Sequence, residues 1–497
     1  MLAVCIGTVV ICVPFLRVVY WMGDEGVLLD GASRLIQGDR LYADFFEFLP
    51  PGGFVITQVW LSLFGQSMSS ARVLAILTLL GIAGFTYLAC RAVSRSTIPA
   101  AFLTLLWTVT SQGVQTQVSH HWLTTLFSMI AAWAALAAGP RAGVRWPIIA
   151  GLACGAAGMV TPTRGALVCL AASAAFIGRS RFPSLFQFVL ATAVVPLGLV
   201  LYLASHGLFG PAYDDVIRFA AGQYASIQTV PFGSSAQDQN RPLAYLFQGT
   251  LAVAVLSCFL RGSWREDRRF WICIAFGAAG FGGCFPRPDM WHIAFAAPMV
   301  LPLLACAVSR MLDRLPIGGQ WALAAAALAI GVLPARSLEL RALQALHTPT
   351  IAVARGVIAP RDSAGMRELL AHVAAMPPRE RVFFYPYEPL LPFLTGRPQV
   401  SRYDLFVPWY TIPAQYQEAC QSVMREADWL VLDRAWSDPK QLAGVFPAMK
   451  RQLPPEMVAF EQALDSGFDF VSRDGALEVR KRNPAANAAL CADIAGR

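Results

Sequence analysis

Charge is scarce in this chain. Asp, Glu, Lys and Arg make up 14% of its 497 residues, against about 25% in an ordinary soluble domain. Lysine is nearly absent: only Lys440, Lys450 and Lys481 occur, so 36 of the 39 basic residues are arginine. A cytosolic enzyme, a disordered chain and a small disulfide-stapled secreted module are all excluded by that balance. No Cys-x-x-Cys pair and no Cys/His cluster of metal spacing is present, which removes a structural zinc site. No Gly-x-Gly-x-x-Gly or Walker A run opens a helix, so a nucleotide site is not expected. The net charge of +8 comes without a zinc finger, basic helix or aromatic RNA-binding signature, and nucleic acid is not an expected partner. The apolar stretches also lack interior ionisable residues, where a proton- or ion-coupled transporter keeps them near the bilayer midplane.

Apolar sequence fills the space that charge leaves. Hydrophobic residues reach 56% and the mean hydropathy is +0.51. A membrane span needs about 20 mostly apolar residues, and eleven candidate stretches lie at approximately 2–21, 71–90, 98–115, 122–138, 147–162, 165–178, 185–205, 243–260, 270–285, 291–309 and 320–335. Their connections alternate in character. One set carries Arg91, Arg95, Arg141, Arg145, Arg179, Arg181, Arg261, Arg265, Arg268, Arg269, Arg310 and Arg314 against only Glu266, Asp267 and Asp313. The positive-inside rule makes that set cytoplasmic. The opposite set starts with an acidic segment holding Asp24, Glu25, Asp30, Asp39, Asp44 and Glu47. An odd number of spans then puts the amino terminus inside and everything after about 336 outside. The expected architecture is a polytopic α-helical membrane region over 1–340, with a first outer loop at 22–70, and a C-terminal extracytoplasmic α/β domain over 341–497. Within the latter, residues 363–376 and 412–427 read as helices, 381–385 and 429–433 as strands, and 468–482 as a hairpin turning at Asp474-Gly475. Nine of the eleven cysteines lie in apolar stretches; Cys420 and Cys491 do not, and whether they pair is open.

Polar chemistry gathers on the outer side. Asp24-Glu25 follows the first stretch directly and precedes a helical stripe of Val27, Leu28, Ala32, Leu35 and Ile36. Such a helix lies on a membrane surface, where its carboxylate either meets a lipid head group or merely caps the helix. The run QTQVSHHW at 115–122 reads as interface polar residues, because adjacent histidines are badly spaced to chelate one metal. Arg164, in TPTR at 161–164, suits a phosphate through its fork of donors, or else snorkels. The link FPRPDMWH at 285–292 packs Arg287, Asp289 and His292 into six positions and is stiffened by Pro286 and Pro288; its alternative is a solvated turn. The outer loop 207–242, with Asp214, Asp215, Arg218 and Arg241, is long enough to cover a substrate.

Several of these runs resemble a known family. DEG, then ASRLIQGDRLYADFFEFLPPG, then LFG and Arg72 is similar to the first outer loop of the GT-C superfamily of integral membrane glycosyltransferases, in its bacterial dolichyl-phosphate-mannose-protein-mannosyltransferase-like branch. RPDMWH resembles the short link between late spans there, and FFYPYEPLLPFLTGRPQVSRYD resembles tails of that branch. The resemblance implies a bundle of transmembrane helices, a polyprenyl-phosphate sugar donor and inversion at the anomeric carbon. It places the catalytic base on Asp24, with Glu25 as the adjacent member of the pair. From their chemistry, Arg164, Arg287 and His292 are the candidates to hold the donor phosphate, and Asp289 to orient them. No cofactor is required, although a divalent metal (Mg or Mn) is compatible with Asp24-Glu25. The expected partners are the lipid-linked donor, a glycan, lipid or protein acceptor, and the bilayer itself. The expected setting is the bacterial inner (cytoplasmic) membrane and cell-envelope polysaccharide synthesis. A rival reading is a lipid-linked oligosaccharide translocator or polymerase component without bond chemistry.

Overall fold

The structure is a computed structural model that describes residues 1–20, 23–113, 115–139, 143–177, 182–224, 227–235, 239–260, 267–361 and 365–494. Arg141, Arg179, Arg181, Arg261, Arg265 and Glu266, used above for sidedness, lie outside the described residues, as does the start of the helix expected at 363.

The first element departs from expectation. Helix α1 (Leu2–Cys12) stops well short of residue 21, and a 3-10 turn follows at Val13–Phe15. Pro14 is the cause, since it has no N–H to continue the helical ladder. The chain then forms a two-residue strand, β1 (Val18–Val19), paired in parallel with β3 (Gly356–Pro360), far along the sequence, Val18 opposite Ala359. The strand β2 (Ile351–Val353) completes this three-stranded sheet. Two apolar residues are too short a pattern to be read as a strand in advance, yet this pairing anchors the chain just before Asp24.

Helix α2 (Gly23–Gln37) carries the apolar stripe and buries most of it. The bundle continues with α3 (Gly52–Phe64), α4 (Met68–Ser94), α5 (Thr97–Ser111), α6 (His120–Ala137), α7 (Arg145–Val160), α8 (Pro162–Ser173) and α9 (Phe182–Ser205). A π-helical turn at Asp214–Tyr224 precedes α10 (Leu246–Leu260), α11 (Arg268–Gly282), α12 (Met290–Ala296), α13 (Leu301–Leu312) and α14 (Ile317–His347). Helices stand in all eleven apolar stretches. By length and composition, four among the described residues can cross a membrane: α4, α9, Arg241–Phe259 and α14. A fifth arises if Met290–Met299 and Leu301–Leu312, bent by 59° to one another, form one span.

Two features suit this bundle to lipid. Hydroxyls along the helices bond carbonyls one turn back, as Thr78 does to Leu74, Thr104 to Ala100 and Ser128 to Thr124, so these polar groups are satisfied within their own helix. Small residues also let helices approach closely. A Cβ on Gly151 would sit 2.5 Å from the Phe188 carbonyl oxygen, and one on Gly155 the same distance from that of Thr192. Helices α9 and α14 expose Val194, Leu201, Leu328 and Val332 on the outside of the bundle, a face that lipid covers at no hydrophobic cost.

Beyond α14 the chain folds around a four-stranded sheet: β4 (Val382–Tyr385), β5 (Trp429–Asp433), β6 (Phe468–Asp474) and β7 (Leu477–Arg482), in the order β4-β5-β7-β6. The first two pair in parallel and every residue of both is buried. This explains why VFFY and WLVLD are continuous apolar runs instead of alternating ones. The hairpin turns at Gly475, whose φ of +65° favours glycine. Helices at Met366–Ala375, Pro413–Glu426 and Pro455–Gly467 accompany the sheet, and Cys420 and Cys491 form a disulfide across 71 positions. This region packs directly on α2. A Cβ on Gly26 would lie 2.3 Å from the backbone nitrogen of Leu390, in the short helix Leu390–Thr395.

Candidate active site

A cavity of about 420 Å³ opens where the helical bundle meets the C-terminal region, within the range of pockets that hold small ligands. The first turn of α2 supplies Asp24, the first turn of α6 supplies His120 and His121, and the link before α12 supplies Arg287, Asp289 and His292. The C-terminal region contributes Tyr387, Asp404, Trp436 and Phe446 to the facing wall. Four of the six residues singled out from the sequence thus share one cavity.

Asp289 organises the link. Its Oδ1 caps α12 by accepting the backbone N–H groups of Trp291 (3.1 Å) and His292 (3.0 Å) and also contacts Nδ1 of His292 at 2.8 Å. Its Oδ2 accepts from Nε of Arg287 at 2.8 Å. Burial pushes the Asp289 carboxyl up, but the His292 bond and charge, with the Arg287 guanidinium, outweigh it and hold it below the usual carboxylate range. An ionised carboxylate only accepts, so the proton it shares with the ring sits on Nδ1 and leaves Nε2 of His292 as the other nitrogen. Arg287 extends the bracing. Its Nη1 donates to Oε1 of Gln228 at 3.1 Å, its Nη2 donates to the Val445 carbonyl at 3.0 Å, and the guanidinium lies 5.3 Å over the Phe446 ring. Part of the loop expected to cover a substrate therefore does reach the cavity, through Gln228 and Ser235.

The remaining two residues stand elsewhere. Glu25 points into the core, 1% exposed, ion-paired with Arg72 and accepting the Val118 N–H at 3.1 Å. Asp24 and Glu25 are thus not two carboxylates of one site. Arg164 is 2% exposed, lies against Gly283 and donates to its carbonyl at 3.1 Å. It sits behind the cavity wall and not on it, because α8 starts beside the last turn of α11.

The structure also brings in residues that the sequence reading left aside. His120 and His121 line the cavity although each is only 8% exposed, with ring centroids 3.9 Å apart and His121 4.8 Å from His292. Ser119 makes this possible by capping α6 through the His121 N–H, so the helix begins at the histidines. An acidic corner forms from Glu47 and Asp404 on the wall with Asp30 behind. Burial raises the Glu47 carboxyl well above its usual range and Asp404 to about 6, with Arg34 opposing the shift in both. A carboxylate set among aromatics in FFEF was the available signal for Glu47; nothing local marked Asp404 as its neighbour. No group of three or more His, Cys, Asp or Glu among the described residues could hold a metal ion.

This architecture has solved counterparts. Over 98% of both chains it matches ArnT from Cupriavidus metallidurans, with a TM-score of 0.57 at 15% identity, in the apo state and bound to undecaprenyl phosphate. Over 98% of this chain and 40% of the other it matches the arabinofuranosyltransferase AftD from Mycobacteria, with a TM-score of 0.53 at 13% identity. The chain has the GT-C fold. No family model matches the sequence, and no curated protein does. Four helices long and apolar enough to cross a membrane, in this fold, point to a membrane protein. Within the GT-C fold, Asp24 stands in the first turn of α2, a largely buried helix where the bundle and the C-terminal region meet.

Proposed function

We propose that the protein is an inverting glycosyltransferase that moves a sugar from a polyprenyl-phosphate carrier to an acceptor hydroxyl on the outer side of the bacterial inner membrane. The observation that carries this reading is the shared cavity: Asp24 lines it together with Arg287, Asp289 and His292, in a fold also found in a protein bound to undecaprenyl phosphate. Asp24 accepts the proton of the acceptor hydroxyl as its oxygen attacks the anomeric carbon, general-base work worth typically 10²–10⁴-fold. The bond from that carbon to the phosphate oxygen breaks on the opposite face, so the configuration inverts and polyprenyl phosphate departs. His292 and the free N–H bonds of Arg287 meet the charge developing on the phosphate, and Asp289 holds both in place. Arg164 acts through the wall, as a fixed positive charge behind the histidines.

The activated sugar arrives on its lipid, so a nucleotide fold has no part in the reaction, and none of these steps calls on a metal. We place the amino terminus inside and the C-terminal α/β domain outside, with all eleven apolar stretches embedded. Four or five of them are long and apolar enough to cross as single helices, and the shorter ones cross beside them. The acceptor is a glycan, lipid or protein hydroxyl. The test is transfer of label from a polyprenyl-phosphate sugar by membranes holding the wild-type protein or Asp24→Asn at matched expression. Label transferred equally by both would refute the assignment.

A further inference from the structure

A buried ion pair lies directly behind Asp24 and outside the cavity. Glu25 and Arg72 are 1% and 2% exposed. The Oε1 atom of Glu25 receives both Nη1 of Arg72 and the backbone N–H of Val118, the latter at 3.1 Å. The Nη2 atom of Arg72 donates to the Val18 carbonyl at 2.8 Å. One carboxylate and one guanidinium thereby join four segments: β1, the first turn of α2, α4, and the loop that leads into α6.

The positions of those anchors are what matters. Val18 precedes Asp24, and Glu25 follows it directly. Val118 lies two residues before His120, and Ser119 between them caps α6. Successive residues on a helix point about 100° apart, so fixing Glu25 into the core turns Asp24 toward the cavity. The same Glu25 oxygen fixes where the histidine-bearing turn begins. The first turn of α2 is also packed tightly against the C-terminal region: a Cβ on Gly23 would lie 2.0 Å from the Tyr387 ring. Stability alone gives a weak reason for such a pair, because desolvating two charges offsets most of their attraction, and apolar replacements are often neutral.

We propose that Glu25 and Arg72 are positioning residues, which set the geometry of Asp24 against His120 and His121 without touching substrate. The proposal rests on the glycosyl-transfer reading and names a further part of the same site. It separates two adjacent acids into a reacting one and a bracing one.

The test compares the doubly neutral variant Glu25→Gln/Arg72→Met with Arg72→Lys and Asp24→Asn, all in the full-length protein in lipid nanodiscs. Thermal unfolding is measured together with kcat and KM for the polyprenyl-phosphate sugar. The double variant removes both buried charges, so its Tm is expected to stay near the wild-type value, while kcat falls about 10²-fold, as small misplacements of a reacting group do, and donor KM stays within about twofold. Arg72→Lys keeps the charge but loses the two-pronged contact, and its kcat is expected to fall about tenfold or more even if the double variant fails to fold. A folded double variant or Arg72→Lys with wild-type kcat, beside an inactive Asp24→Asn, overturns the positioning role alone. An active Asp24→Asn overturns the catalytic reading and this proposal together.

Discussion

Replacing Asp289 with asparagine separates the work of its two oxygens. In the wild-type protein Oδ1 serves the backbone cap of α12 and the His292 ring, while Oδ2 serves Arg287. Asparagine keeps one acceptor oxygen. If that oxygen stays on the cap, where it holds two N–H groups, the amide NH₂ faces the guanidinium and neither can accept from the other. One charge-assisted hydrogen bond is then lost, worth about 1.5–3 kcal/mol. Expressed wholly in the transition state, that is about a 10- to 150-fold fall in rate. Stability should fall by no more than the worth of that one bond, because the cap survives. Asp289→Ala removes the cap too and should cost about 0.5–2 kcal/mol in addition. Single-turnover transfer from a labelled polyprenyl-phosphate sugar, measured beside thermal unfolding, reads both quantities. Asp289→Asn turning over at the wild-type rate would refute the idea that this carboxylate organises the phosphate side of the cavity.

Two further predictions concern stability. The Cys420–Cys491 bridge closes a span of 71 positions, and the loop-entropy model assigns about 4 kcal/mol to a closure of that length; Cys420→Ser/Cys491→Ser should lower the Tm accordingly, and an unchanged Tm would contradict the model here. Burial raises the Asp30 carboxyl to about 7 against the opposing Arg34 charge, with Asp404 and Asp39 adding to the rise. The folded protein therefore holds a proton that the unfolded chain releases near pH 4, so this contribution is complete below about pH 4 and is lost as pH rises through about 7. Asp30→Asn, which is neutral throughout, should flatten the decline of Tm between pH 5 and 8, and an identical slope in both proteins would dismiss the effect.

Much of the site was legible because its signals are local. Asp24 follows an apolar stretch, and Arg287, Asp289 and His292 fall within six positions of a link stiffened by Pro286 and Pro288, so their nearness needs no knowledge of the fold. The helices of the bundle and the β6–β7 hairpin follow in the same way from short-range pattern. Long-range pairing was not legible. Glu25 looked like the twin of Asp24 because sequence shows adjacency and not direction; its partner Arg72 is 47 positions away, and the core decides which way each acid turns. Pairing of Val18 with Ala359 and the meeting of Glu47 with Asp404 join segments separated by hundreds of residues. Arg164 fitted phosphate chemistry equally well as sequence, and only the packing of α8 against α11 puts it behind the wall. His120 and His121 were judged by their poor spacing for a metal, although what places them in the cavity is the cap at Ser119.

The central claim is that one carboxylate at the start of α2 takes the proton of the attacking hydroxyl. Its most direct measurement is the rate of sugar transfer by Asp24→Asn in nanodiscs, with binding of the polyprenyl-phosphate sugar determined on the same samples. The account predicts donor binding within a fewfold of wild type and a transfer rate lower by at least about 10²-fold. Transfer at close to the wild-type rate, with the donor bound normally, would contradict it.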